Sequence, residues 1–156
     1  MINYLNSLGK KSQVAFNNMI DTKTKNKVLD KFAFLIEKEK KLITKENIKD
    51  INLAVKKKLK ENLINRLLLN SFKLKGIQSA IRNISKLKDP IDVTLHKWRR
   101  PNGLIIKKIS IPIGVIGIIF ESRPNVTSDV SSLCFKSGNA VILRGGSEAF
   151  NTNKIL

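Results

Sequence analysis

Two short polar stretches carry the residue types that could do chemistry, and each follows a strongly apolar run. The first is Glu121-Ser122-Arg123-Pro124-Asn125 and the second is Arg144-Gly145-Gly146-Ser147. An Asn side chain held after a proline can donate a hydrogen bond to an oxygen that gains negative charge in a transition state. Such a donor is typically worth ~3–4 kcal/mol of barrier. The same Asn125 could instead cap a helix starting at Val126, and its type leaves both roles open. In the second stretch, paired glycines let a ligand approach the backbone closely. Arg144 offers a cationic fork for phosphate or a donor to ribose, and Ser147 with a following helix start offers hydroxyl and N–H donors. An ordinary strand-to-helix turn would carry the same residues. Neither a G-x-G-x-x-G fingerprint nor a Walker loop occurs.

Two other residues invite a role and are assigned none. Cys134 shares an apolar helical stripe with Val126, Val130 and Leu133. A reactive cysteine needs an electropositive, accessible setting instead. His96 is the one histidine, and no partners at metal-ligand spacing accompany it.

The elements that must position these stretches follow from periodicity. Gly114 to Phe120 is almost continuously apolar, as in a strand buried on both faces. Val126 to Cys134 recurs at helical spacing, with Thr127, Ser128 and Asp129 suited to the helix start. Ser137-Gly138-Asn139 ends that helix by a glycine cap. Ala140 to Leu143 is a second buried strand, and a further helix begins near Ser147. Two parallel strands joined by a helix imply a doubly wound sheet. Ligands bind such sheets beyond the carboxyl ends of the strands, where the two polar stretches would lie side by side.

Upstream, Val93-Thr94-Leu95 and Leu104 to Ile109 read as a hairpin around the Asn102-Gly103 pair, which favours a tight turn. The preceding residues read as helices. Leu5, Leu8, Ser12, Ala15, Phe16 and Met19 share one face. Val28, Leu29, Phe32, Leu35 and Ile36 form a second stripe, capped by Thr22 or Thr24. A short third helix is expected over 47–58, with Ile48, Ile51, Leu53 and Val55 irregularly spaced. Leu63, Ile64, Leu67 and Leu68 cluster. Ile77, Ile81, Ile84 and Leu87 mark a helix that Asp89-Pro90 ends. The expected organisation is a helical segment over 1–90 that serves for packing only, a hairpin over 91–110, and the start of an α/β domain over 111–156.

Composition bounds the rest. The chain has 156 residues, of which 42% are hydrophobic, enough for a packed core. No apolar run reaches the ~18 residues of a membrane span. The start, Met1-Ile2-Asn3-Tyr4-Leu5-Asn6, lacks the basic and apolar regions of a signal peptide. One cysteine permits no internal disulfide, so a cytoplasmic location is expected. The net charge of +18 would suit a polyanion binder. The lysines are dispersed on polar helix faces, among them Lys38, Lys40, Lys41, Lys45, Lys56, Lys57, Lys58 and Lys60. No aromatic platform interleaves with them. Nucleic acid is therefore not the expected partner, though a noncatalytic basic module stands as the alternative.

Residues 110–127 (SIPIGVIGIIFESRPNVT) and 129–146 (DVSSLCFKSGNAVILRGG) together resemble the signature region of the γ-glutamyl phosphate reductase family, also called glutamate-5-semialdehyde dehydrogenases. Residues 74–90 (LKGIQSAIRNISKLKDP) are similar to its N-terminal helices. General aldehyde dehydrogenases share the outline but carry a Pro-Trp-Asn type loop. A relative acting on a free aldehyde is thus a further alternative.

The resemblance implies an aldehyde dehydrogenase-like α/β fold, with N-terminal helices and a hairpin leading into an incomplete parallel Rossmann-like sheet. It implies NADPH-dependent reduction of L-glutamyl 5-phosphate to L-glutamate 5-semialdehyde in proline biosynthesis, by an enzyme that is a homo-oligomer at full length. Asn125 would be the oxyanion-hole amide. Arg144, Gly145, Gly146 and Ser147 would hold the adenosine end of the cofactor, with Glu121 and Arg123 lining the same cleft. The family's catalytic cysteine lies in a second domain, to which Cys134 does not correspond. The chain is therefore expected to be an N-terminal fragment, inactive alone.

Overall fold

In the computed structural model, residues 2–18 and 20–156 are described, so Met19 of the first predicted stripe lies outside the described residues. Five helices come first: α1 (Ile2–Asn17), α2 (Thr22–Lys38), α3 (Lys40–Lys56), α4 (Glu61–Leu67) and α5 (Ser71–Lys86). The main core lies between α2 and α5. Leu29, Ala33 and Ile36 pack with Leu74, Ile77, Ile81 and Ile84, and Ile43 and Leu69 close the cluster.

Several helix expectations are corrected. The cap of α2 is Asp21, whose Oδ1 accepts from the Thr24 N–H at 3.0 Å. Thr22 instead donates to Asp89 Oδ2 at 2.7 Å. Val28 and Leu35 are exposed, because the buried stripe of α2 is narrower and includes Lys25, whose amino group pairs with Asp89 at 2.9 Å. Leu5 and Ala15 of α1 are exposed as well, and only Ser12 of that helix is buried.

Helix α3 starts seven residues before the expected position. Its buried face is Ile43, Asn47, Asp50 and Ala54, while Ile48, Leu53 and Val55 face solvent. The spacing of four, three and four residues is helical. Half of the face is polar, however, so apolar periodicity alone points to the wrong side.

Strands β1 (Thr94–Arg99) and β2 (Ile105–Ile109) form an antiparallel hairpin. Its turn differs from a two-residue Asn-Gly turn. Gly103 N–H donates to Arg100 O at 2.9 Å and Arg100 N–H to Leu104 O at 2.8 Å. Pro101 and Asn102 therefore sit at the turn centre, and Gly103, with φ +85°, takes the left-handed position of a three-residue loop.

Strands β3 (Val115–Ile119) and β4 (Ala140–Arg144) are parallel, in register from Val115 opposite Ala140 to Ile119 opposite Arg144, and α6 (Pro124–Lys136) connects them. After α6, Gly138 adopts φ +71°. Its N–H donates to Phe135 O and the Asn139 N–H to Cys134 O, a Schellman ending. Burial of β3 on both faces is corrected. Gly117 is exposed and Ile119 is 87% exposed, because the sheet has two strands among the described residues and this face lacks a covering layer. A 3-10 turn (Ser147–Ala149) and α7 (Phe150–Ile155) follow β4.

Candidate active-site clefts

The loops after β3 and β4 are joined at their roots, where Phe120 N–H donates to Arg144 O at 3.0 Å. Arg123 precedes Pro124 and is extended, as a residue before proline must be. Pro124 then occupies the first position of α6, where its missing N–H costs nothing. Asn125 is therefore inside the first turn, and its expected capping alternative does not occur. Its Nδ2 donates to Asp129 Oδ2, one turn on, at 3.1 Å. Nor do Thr127 and Ser128 cap the helix: Thr127 Oγ1 donates to Asn153 Oδ1 at 3.0 Å and Ser128 Oγ to Asn125 O at 2.8 Å.

The second loop owes its glycines to the first. A Cβ on Gly145 would stand 2.3 Å from Asn153 Nδ2 and 3.0 Å from the Phe120 ring. One on Gly146 would stand 2.8 Å from both Ser122 Oγ and Glu148 Oε2. Ser122 Oγ itself donates to Glu148 Oε2 at 2.8 Å, which ties the loops together. Glu148's own N–H and the Ser122 hydroxyl hold its carboxyl below the usual range. The chain's own packing thus fills the space that two glycines leave, on the side where a Cβ would project.

Two clefts open around these loops, and they divide the expected site residues. The first, about 480 Å³, is lined by Arg123, Asn125 and Asp129 from the α6 end and by Arg66, Lys73, Gly76 and Ala80 from α4 and α5. The second, about 460 Å³, is lined by Glu121, Ser122, Gly146 and Glu148 against Leu59, Leu63 and Leu67. Glu121 and Arg123 therefore line different clefts rather than one. Arg66 borders both, its Nη1 3.6 Å from Glu121 Oε2. Arg144 and Ser147 are exposed at the end of β4 and in the turn beyond it.

Charge in the first cleft is unbalanced. Arg66, Lys73 and Arg123 share its wall with one carboxylate, Asp129; Arg66 also pairs with Glu121, and Lys73 Nζ donates to Asn65 O and Leu68 O. Burial raises the Asp129 carboxyl, opposed by the bond from Asn125. Its Oδ1 is enclosed and has no hydrogen-bond partner. Cys134 is buried and its thiol is pushed up by that burial, the direction that keeps it protonated and inert.

The helical half contributes more than packing, which corrects the expectation for residues 1–90. Asp50 is 1% exposed and accepts four hydrogen bonds from the start of α7: Asn151 N–H at 3.1 Å, Asn151 Nδ2 at 2.7 Å, Thr152 N–H at 2.8 Å and Thr152 Oγ1 at 2.6 Å. Asn47 Nδ2 donates to Leu67 O and to Thr152 Oγ1, and its Oδ1 accepts from Leu69 N–H. The only trace of this in the sequence is a helical stripe containing Asn47 and Asp50 among apolar positions.

Paired parallel strands joined by a helix, with two loops side by side at their carboxyl ends and a helical layer before them, define the start of a doubly wound α/β unit. No family model matches the chain. It is 46% identical over 143 residues to the γ-glutamyl phosphate reductase of Clostridium novyi, covering 92% of this chain and 34% of that protein. It is 45% identical over 152 residues to the enzyme of the same name from Carboxydothermus hydrogenoformans, covering 96% and 37%. The crystal structure of γ-glutamyl phosphate reductase from Thermotoga maritima matches with a TM-score of 0.90 at 40% identity, covering 93% of this chain and 36% of that one. That from Saccharomyces cerevisiae matches with a TM-score of 0.89 at 30% identity. The chain is homologous to the γ-glutamyl phosphate reductases, and it spans about a third of their length.

Proposed function

We propose that this chain forms the part of an NADPH-dependent acyl-phosphate reductase that holds the oxyanion and the adenosine end of the cofactor, acting on L-glutamyl 5-phosphate. The observation that carries this reading is the Asn125 amide at the first turn of α6, on the wall of a cleft ringed by Arg66, Lys73 and Arg123. Cations there would attract the substrate's phosphate and carboxylate. Asn125 would donate its remaining N–H to the acyl oxygen as that oxygen gains charge.

The nicotinamide cofactor supplies hydride when bound. Exposed Arg144 at the end of β4 and Ser147 in the turn beyond it would donate to a ribose phosphate, with Gly145 and Gly146 fixing the loop between them. Cys134 is not the nucleophile in this reading, which assigns that role to a cysteine outside these residues. Residues 1–90, 91–110 and 111–156 would serve as helical layer, hairpin and start of the cofactor domain of a cytoplasmic homo-oligomer. Among the described residues, no helix is long and apolar enough to cross a membrane.

The test is a chimera in which this chain replaces the matched third of the Thermotoga maritima relative. It should oxidise NADPH in the presence of L-glutamyl 5-phosphate. Asn125→Ala in that chimera should lower kcat by about 10²–10³-fold, as loss of one oxyanion donor does. A folded chimera without activity, or an N125A variant with full activity, would sink the reading.

A further inference from the structure

We propose that Asp129 reads the α-ammonium group of the amino-acid substrate in the cleft beside Asn125, while Arg66, Lys73 and Arg123 receive its anionic groups. This rests on the function proposed for that cleft and deepens it by assigning the substrate's charges to individual side chains.

Three observations converge. Asp129 is the one carboxylate on a cleft wall that carries three cations, and none of the three forms an ion pair with it among the described residues. Its Oδ2 is taken by Asn125, while Oδ1 is enclosed without a hydrogen-bond partner. An enclosed acceptor without a partner adds to the cost of charging this carboxylate. Burial holds the carboxyl above its ordinary range, and the bond from Asn125 does not offset it. A cation brought to the cleft side of this carboxylate would favour its charged form.

The charges of the substrate complement this set. L-glutamyl 5-phosphate carries an acyl phosphate and a carboxylate, which are anionic, and a single ammonium. The lengths agree as well. Asn125 and Asp129 are four residues apart on one helix, so their side chains are rooted about 5–6 Å apart. The amino nitrogen of an extended glutamyl chain lies four bonds from the reacting carbonyl carbon, roughly 5 Å away. With the acyl oxygen at Asn125, the ammonium would therefore reach Asp129. The cleft volume of about 480 Å³ falls within the usual range for small-molecule sites.

The test compares L-glutamate with glutarate, which keeps both carboxylates and lacks the ammonium, and with inorganic phosphate. Each is titrated into the 156-residue chain and followed through the Asn125 side-chain amide resonance. L-glutamate should bind about tenfold more tightly than glutarate, the worth of one charge-assisted hydrogen bond. Asp129→Asn should abolish that preference and leave glutarate and phosphate binding as tight or tighter. Equal binding of L-glutamate and glutarate by the native chain, or a preference that survives D129N, overturns the role of Asp129 alone. Failure of all three probes to bind overturns both this assignment and the anion-binding reading of the cleft. The comparison of the two diacids in the native chain needs no variant, so it stands even if D129N does not fold.

Discussion

Asp50→Ala should release the start of α7 without unfolding the helical core. Asp50 caps α7 from outside: the position before that helix is Ala149, which offers no side-chain acceptor, and the free N–H groups of Asn151 and Thr152 bond to Asp50 about a hundred residues earlier. Removing the carboxylate leaves the Thr152 N–H, in a residue that is 0% exposed, without an acceptor. A stranded buried donor costs ~1–3 kcal/mol, and bonds to a charged group are worth ~1.5–3 kcal/mol each. The terms do not sum. Thr152 Oγ1 keeps its bond from Asn47, and removing the carboxylate recovers the cost of burying it. A net loss of about 3 kcal/mol is expected, within the range for breaking one side of a buried charged contact. Amide hydrogen exchange reads it directly. At 1.4 kcal/mol per tenfold, the amides of Asn151 and Thr152 should exchange about a hundredfold faster in D50A. Those of Leu74 to Ile81 in α5 should change little. Unchanged exchange at Asn151 and Thr152 would refute the latch. An equal acceleration in α5 would show that Asp50 supports the whole fold rather than one loop.

Two further variants test the supports of the site. Gly146→Ala would drive a methyl into Ser122 Oγ and Glu148 Oε2, each 2.8 Å away, and should cost about 2 kcal/mol, seen as a fall in Tm of roughly 4–8 °C; an unchanged Tm would show that the clamp between the loops yields freely. Asp89 tests the pH dependence. Burial opposes its charge, but bonds from Lys25, Thr22 and the Ile91 N–H together hold its carboxyl below the ordinary value of 3.8. Its stabilising contribution is therefore complete above that value and is lost as pH falls through the lower folded-state pKa. Asp89→Asn strands Lys25, whose side chain is 4% exposed, and should cost about 3 kcal/mol at pH 7. The gap between native chain and variant should close as pH falls from 4 towards 2 in urea unfolding; a gap independent of pH would contradict it.

What the sequence made legible was local. The order strand, helix, strand follows from apolar runs and from Gly138, whose left-handed conformation ends α6 within a few residues of its signal. The neighbouring loops after β3 and β4 follow from the parallel pairing. The buried face of α3 was hidden for the opposite reason. Asn47 and Asp50 are buried because of partners 20 to 105 residues away, and no local spacing can announce an acceptor for a helix that far along the chain. The division into two clefts was hidden likewise. Nothing in the sequence sets Arg66 and Lys73 apart from the other cations, and only the placement of α4 and α5 against the start of α6 brings them to Asn125.

That placement changes what the helical half is for. One wall of the Asn125 cleft is the Lys73, Gly76, Ile77 and Ala80 face of α5, where small residues leave the space and a lysine supplies charge. Helix α5 is bound to α6 from behind by Lys136, 2% exposed, which donates to Ser85 O at 2.8 Å and to Asn26 Oδ1 at 2.6 Å. Helix α3, through Asp50, holds the segment whose Asn153 packs on Gly145 and bonds Thr127. A change in α3 or α5 therefore moves the walls of a cleft or the seating of a loop, not a remote scaffold. Residues before Pro90 and after it line the same cleft, and a variant that loosens α5 should be read first in the geometry of Asn125.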